Sequence, residues 1–125
     1  MSDVKKVLVA EDSSVIQNLT KKILQLQNCD ITGVKDGAQV LNKLEEEHFD
    51  VILMDINMPV MDGMECAKKI RAHNDAKIAQ TPIIAITGNA KNYSMEEFKE
   101  AGIDEFLQKP LNFDQVVEMV QKYAD

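Results

Sequence analysis

An open α/β domain, in which βα units wind a parallel sheet with helices on both faces, is the fold class this sequence predicts. Three observations predict it. Short apolar runs such as Val7-Leu-Val-Ala10, Val51-Ile-Leu-Met54 and Ile83-Ile-Ala-Ile86 read as strands buried on both faces. Longer stretches between them carry apolar residues at helical spacing. The first two runs close on carboxylates, Glu11-Asp12 and Asp55. Open α/β sheets collect their ligand sites at strand ends of this kind.

Lys5-Lys6 leads into the first strand, Val7-Leu-Val-Ala10, and Ser13 or Asp12 can cap the helix that follows. Ile16, Leu19, Ile23 and Leu24 predict a helix over Ser14 to Leu26 with these four as its apolar face. Cys29 to Val34 is a weaker strand nearer an edge. Asp36-Gly37 turns into a second helix with Val40, Leu41 and Leu44 inward and Glu45-Glu-Glu47 as its solvated end. Val51 to Asp55 is the third strand, and Pro59 and Asp62-Gly63 break the chain after it. Met64, Cys66, Ala67 and Ile70 mark a third helix running to about Ala72, and polar residues 73–81 read as a loop. Pro82 to Thr87 is a fourth strand, again with a polar end. Ser94 and Glu97 match a capping box, with Gly102 as the stop of that helix. Glu105 to Gln108 is a fifth strand, and Asn112 with Gln115 caps a last helix striped by Val116, Val117, Met119 and Val120.

The chain of 125 residues suits one domain, 1–125, with a core of its own. A net charge of −7 without any basic block argues against nucleic-acid binding, which needs a positive face. No run approaches the ~18 apolar residues of a membrane span, and no signal-peptide pattern opens the chain. Cys29 and Cys66 form no CxxC and read as small packed residues of a reduced, cytoplasmic protein.

Right-handed crossovers leave the flavodoxin-like order 2-1-3-4-5 as the simplest sheet for five such units. Strands 1 and 3 are then neighbours at the switch point, so Glu11, Asp12 and Asp55 meet in one crevice, with Thr87 and Lys109 on the same rim. Crowded carboxylates repel unless a cation sits among them, and an all-oxygen set suits Mg²⁺ or Mn²⁺ rather than zinc. A metal, a lysine, a hydroxyl and a free carboxylate oxygen are the parts for phosphoryl transfer onto a carboxylate.

The whole chain resembles a response-regulator receiver domain of bacterial two-component signalling. The acidic pair Glu11-Asp12, Asp55 in LMDINMPVMDG, Thr87 in AITGNA and Lys109 in QKPL carry the resemblance. It implies that Asp55 is a phosphoacceptor taking its group from a histidine kinase or a histidine phosphotransfer protein. Glu11, Asp12, Asp55 and the backbone carbonyl of Asn57 would hold Mg²⁺, and Lys109 would pair with Asp55 and later with the phosphoryl group. Thr87 would donate its hydroxyl, and Phe106 would be the switch aromatic that turns inward as Thr87 moves. The Lys109-Pro110 bond would be cis. Asn57 and Asn89 would stand where receivers tune acyl-phosphate lifetime. Such a protein is not an enzyme in the ordinary sense; it catalyses its own phosphorylation and slow dephosphorylation. It would be a monomer, with dimerisation on phosphorylation open, and its downstream target is not readable. No output domain follows within 1–125.

Other readings of the same residues are plainer. Asp62-Gly63 is a turn, His48 and His73 are surface or loop histidines, and Met54, Met58, Met61 and Met64 are first of all gap-fillers. A haloacid-dehalogenase-like phosphatase would want a second Asp where Asn57 stands, and a flavodoxin would not place Glu-Asp-Ser-Ser at its phosphate loop. A pseudo-receiver that only docks partners would not need the full set at the strand ends. Val15 and Ile16, near the start of the first helix, are candidates for a partner contact. The fourth helix, fifth strand and last helix form the alternative output face, where Glu118, Gln121 and Lys122 offer no apolar patch.

Overall fold

The computed structural model describes residues 4–88 and 94–124. Its strands are β1 (Lys5–Ala10), β2 (Cys29–Val34), β3 (Val51–Asp55), β4 (Ile83–Thr87) and β5 (Glu105–Gln108). Its helices are α1 (Ser14–Gln25), α2 (Gly37–Glu46), α3 (Gly63–Arg71), α4 (Ala76–Ala79), α5 (Met95–Glu100) and α6 (Phe113–Ala124). The sheet order is β2-β1-β3-β4-β5, with every pairing parallel. The doubly wound, flavodoxin-like fold expected from the strand pattern is the fold observed.

Alternation along the strands divides the core into two layers. Leu8, Ala10, Ile52, Met54, Ile83 and Ala85 pack with Val40 and Leu44 of α2 and Cys66, Ala67 and Ile70 of α3. Val7, Val9, Val51, Leu53, Ile84 and Ile86 face the other way, onto Leu24 of α1 and Val116 and Val120 of α6. β3 lies at the centre: Leu53 is in register with Val9 on one side and Ile84 on the other. All five of its residues are buried. Truncating one of them, as in Leu53→Ala, would cost about 2–5 kcal/mol of stability. That depth of packing is what holds Asp55 in place.

The helix starts carry polar caps, at Ser13, Ser94 and Asn112 as expected and also at Asp36 and Asp62, which the sequence offered only as turns. Ser13 accepts from the Ile16 N–H at 3.4 Å, Asp36 from Gln39 at 2.9 Å and Asp62 from Glu65 at 2.8 Å. Ser94 and Glu97 form the full reciprocal box, and Asn112 accepts from the Asp114 N–H at 3.0 Å. Gly102 ends α5 with φ at +88°, a conformation that favours glycine.

Three expectations need correction. On α1, Leu19 is 46% exposed, whereas Gln17 and Thr20 are buried beside Leu24. The inward face is thus turned from the predicted stripe, with Ile16 and Ile23 only half-buried. Thr20 tolerates this because its hydroxyl donates to the Ile16 carbonyl at 2.8 Å. Residues 73–81 are not all loop, since Asp75 caps the single helical turn α4, which is anchored by buried Ile78. Glu47 is not a freely solvated helix end, because it is half-buried and ion-paired with Lys6.

The amino-terminal rim of the sheet is held by polar contacts. Asp50 accepts from the Lys6 N–H at 2.8 Å, and Asp104 accepts from the Ile83 N–H at 2.8 Å and from Arg71 at 2.9 Å. Arg71 also donates to the carbonyls of Ala79 and Thr81 at 2.7 Å each and of Gly102 at 2.8 Å. One guanidinium therefore joins the end of α3 to α4, to the entry of β4 and to the turn before β5.

Candidate functional site

Four strands deliver polar groups to the carboxyl-terminal rim. Glu11 follows β1, and its N–H donates to the Val34 carbonyl at the end of β2 at 3.0 Å. Asp55 is the last residue of β3 and is 1% exposed. Its Oδ1 accepts the Asn57 N–H at 3.0 Å, which fixes the carboxylate against its own loop. Thr87 ends β4 and is buried. Lys109 follows β5, where its N–H donates to the Thr87 carbonyl at 2.8 Å. The Lys109-Pro110 bond is cis.

The loop after β3 can come this close only because of Gly63. A Cβ there would lie 2.7 Å from the Asp55 carbonyl oxygen and 2.9 Å from the Ile56 Cα. The Gly63 N–H donates to the Ile56 carbonyl at 2.9 Å, so α3 starts directly against the strand end.

The side chains converge. The Lys109 ammonium donates to Asp55 Oδ2 at 2.8 Å and stands 3.8 Å from Glu11 Oε1. One ligand oxygen each from Glu11, Asp12 and Asp55 lies within 4.8 Å of the others. Asp12 faces solvent while Glu11 and Asp55 are buried. Glu11 Oε2 accepts the Ser13 N–H at 3.1 Å, but Oε1 is buried with no hydrogen-bond partner.

Charge follows from that geometry. Burial pushes the Glu11 carboxyl up to about 7, with the Asp55 charge adding to the rise. The Ser13 N–H and the Lys109 charge only partly offset it. For Lys109, burial alone would pull the ammonium down, but the hydrogen bond to Asp55 and the charges of Asp55, Glu11 and Asp12 lift it above its ordinary value. One lysine thus faces three carboxylates.

An orphaned buried oxygen in an all-oxygen acidic crevice is what a hard divalent cation such as Mg²⁺ would fill. No other group of three such side chains is near enough to do this among the described residues. A cation here would leave one face of the carboxylate cluster open toward solvent through Asp12. That is an arrangement for binding an oxyanion next to a carboxylate.

Glu11, Asp12, Asp55 and Lys109 are thus in mutual reach, with Thr87 joined to them through its backbone. Asn57 is exposed just past Asp55. Phe106 stands apart from the charged cluster and is half-buried, its ring stacked on Phe98 at 5.1 Å between centroids and 18° between planes. Asn89 lies outside the described residues. His48 and His73 are elsewhere, against Asp50 at 3.4 Å and Glu45 at 3.3 Å. Met54 and Met58 are core, and Met61 and Met64 pack half-buried against it. Val15 is 70% exposed, while Ile16 is half-buried.

Sequence reasoning missed Gln17. It is buried and donates its side-chain amide to the carbonyls of Glu11 at 3.2 Å and Val34 at 2.8 Å. The available signal was Gly33, a side-chain-free position in the edge strand that leaves room for it.

A family model described as the response regulator receiver domain matches residues 7–121. A hybrid signal transduction histidine kinase I from Dictyostelium discoideum is 41% identical over 112 residues, covering 86% of this chain and 6% of that protein. The chain spans from 4% to 20% of the length of the curated relatives compared. Among solved structures, chemotaxis response regulator CheY4 of Vibrio cholerae is 32% identical with a TM-score of 0.86, over 96% of this chain and 98% of that one. The receiver domain of sensor histidine kinase PA1611 from Pseudomonas aeruginosa PAO1 is 31% identical with a TM-score of 0.87, over 97% and 98%. That structure has a magnesium ion coordinated in its active-site cleft. The Dictyostelium relative is eukaryotic, so matching chains are not confined to bacteria.

Proposed function

This chain belongs to the response regulator receiver domain family, and from that premise we propose that Asp55 accepts a phosphoryl group and thereby switches a signalling surface. The donor is a phosphohistidine on a histidine kinase or a histidine phosphotransfer protein. A carboxylate oxygen of Asp55 attacks phosphorus in line. The Oδ–P bond forms, the P–N bond breaks, and the leaving histidine nitrogen takes up a proton.

The observation that carries this reading is the buried Asp55 carboxylate held between the Lys109 ammonium at 2.8 Å and the Asn57 N–H at 3.0 Å. These two contacts fix the nucleophile before the donor arrives. Lys109 then faces the charge of the new acyl phosphate, and the Thr87 hydroxyl supplies a donor to it. Glu11, Asp12, Asp55 and the Asn57 carbonyl would hold Mg²⁺, which would supply positive charge for the phosphoryl oxygens. The magnesium in the similar PA1611 receiver supports this assignment.

Phe106 is the two-state element. Its ring, half-buried and stacked on Phe98, would repack as Thr87 turns toward the phosphoryl group. Phe carries no hydroxyl, so a partner reads ring burial and surface shape. Exposed Val15, three residues past the acidic pair, is the partner contact on α1. Residues 1–125 act as one receiver domain.

Amide NMR on adding Mg²⁺ and then beryllofluoride, a stable phosphoryl mimic, tests this directly. Shifts at Asp55, Thr87, Phe106 and Lys109 that vanish in Asp55→Asn are expected. A response confined to the metal ligands would overturn the switch.

A further inference from the structure

Gln17 enters the protein's interior where the apolar pattern of α1 gave no reason for a polar group. It is 6% exposed. A primary amide buried to that extent is costly unless it is bonded, and here its Nε2 donates twice. It reaches the Glu11 carbonyl at 3.2 Å and the Val34 carbonyl at 2.8 Å. The Val34 oxygen also receives the Glu11 N–H at 3.0 Å. Both polar groups of the Glu11 backbone are therefore tied to one point at the end of β2, the carbonyl through Gln17 and the N–H directly.

The strand opposite is shaped to admit this side chain. A Cβ at Gly33 would lie 2.6 Å from both Cδ and Oε1 of Gln17. Any side chain at 33 would push the amide out of its seat. The atoms in the way are the far end of a flexible side chain and the Cε of Lys21 at 2.8 Å, so an alanine there moves Gln17 rather than breaking the sheet.

We infer that Gln17 is a positioning residue for the divalent-cation site, seated by Gly33. It acts by clamping the Glu11 peptide, so that the Glu11 and Asp12 carboxylates meet Asp55 without first being ordered by the ion. This rests on the reading of Glu11, Asp12 and Asp55 as Mg²⁺ ligands. The need for a clamp is clear from the strand end. Glu11 sits past the last paired residue of β1, and its side chain is longer than Asp, with more freedom to lose on binding.

Amide NMR titration with Mg²⁺ on the intact chain tests the inference, with melting temperature recorded in parallel. Gln17→Leu, close in volume but without the amide, should weaken Mg²⁺ binding by roughly tenfold, the lower end of what outer ligand supports contribute. It should also shift the Glu11 and Asp12 amides in the metal-free protein. Gly33→Ala should reproduce both effects at a near-wild-type melting temperature, and combining the two should add little, because both remove one clamp. Thr20→Ala, on the same helix and also buried, controls for helix stability and should leave Mg²⁺ binding unchanged. Wild-type affinity in both Gln17→Leu and Gly33→Ala overturns the clamp while leaving the metal site standing. Weakening in Thr20→Ala that matches Gln17→Leu also overturns it, in favour of a general packing effect. A wild-type chain with no Mg²⁺ response at Glu11, Asp12 or Asp55 overturns the metal reading and the clamp together.

Discussion

The two ends of the sheet are built from similar materials and finished differently. At the amino-terminal rim, Asp50, Asp104, Glu47, Lys6 and Arg71 are matched charge to charge or charge to backbone. Arg71 alone donates to three carbonyls and a carboxylate. At the carboxyl-terminal rim, Lys109 stands against three carboxylates, and one oxygen of Glu11 is buried without a hydrogen-bond partner. A satisfied polar network fastens strands together, whereas an under-satisfied one keeps a place for something to bind. The first kind should govern stability, the second chemistry, and substitutions can separate them.

The largest effect is expected at the carboxyl-terminal rim. Lys109→Ala removes the cation facing Asp55 and should slow phosphorylation by a small-molecule phosphodonor by about 10²–10³-fold. Mass spectrometry of the phosphorylated chain reads this, and a rate within a few-fold of wild type would deny Lys109 its role. Next is the amino-terminal rim. Arg71→Met strands the carbonyls of Ala79, Thr81 and Gly102 and should cost about 2–3 kcal/mol in urea unfolding. Its phosphorylation rate, measured where the variant is folded, should match wild type. Loss of rate there would mean the two rims are not separable.

A smaller effect belongs to Glu11. Its carboxyl lies at about 7 in the fold against an ordinary 4.5, so between those values the folded chain keeps a proton that the unfolded chain has released. The metal-free protein should therefore lose stability as pH rises through that window. Glu11→Gln should lack this slope and be more stable by about 1–2 kcal/mol above it. For wild type, Mg²⁺ and the proton compete, so affinity should climb toward roughly tenfold per pH unit below about 7 and flatten above it. Equal pH slopes in urea melts of the two proteins would place the proton elsewhere. The smallest effect is Val15→Lys on the outer face of α1. It should slow transfer from a protein donor by about threefold to tenfold, roughly 1 kcal/mol, and spare a small-molecule donor. Equal slowing with both donors would remove α1 from the docking surface.

Much of this was legible in the residues. Val51 to Asp55 could be read as a central strand because four apolar residues in a row need burial on both faces, and the Asp that ends them must then stand at the rim. The order of the strands followed from chirality, and Glu11, Asp12, Asp55 and Lys109 came together with it. What was not legible lay in pairs of elements rather than single ones. Leu19 lost its expected inward place and Gln17 turned inward instead, where Gly33, sixteen residues away, leaves space for an amide. α4 was missed because its single buried apolar side chain, Ile78, gives no periodicity. The state of Phe106 was also beyond the sequence, since a ring three residues before a site lysine can be core or switch. Only the stack on Phe98 shows it half-covered.

That stack has a practical use. The chain contains no tryptophan, so its intrinsic fluorescence is dominated by two tyrosines. Phe106→Trp would place a single indole in a half-covered seat beside Phe98, on the strand that leads to Lys109. Its emission colour would follow the wetness of that seat, giving a label-free optical test of whether the ring moves when a phosphoryl mimic is added.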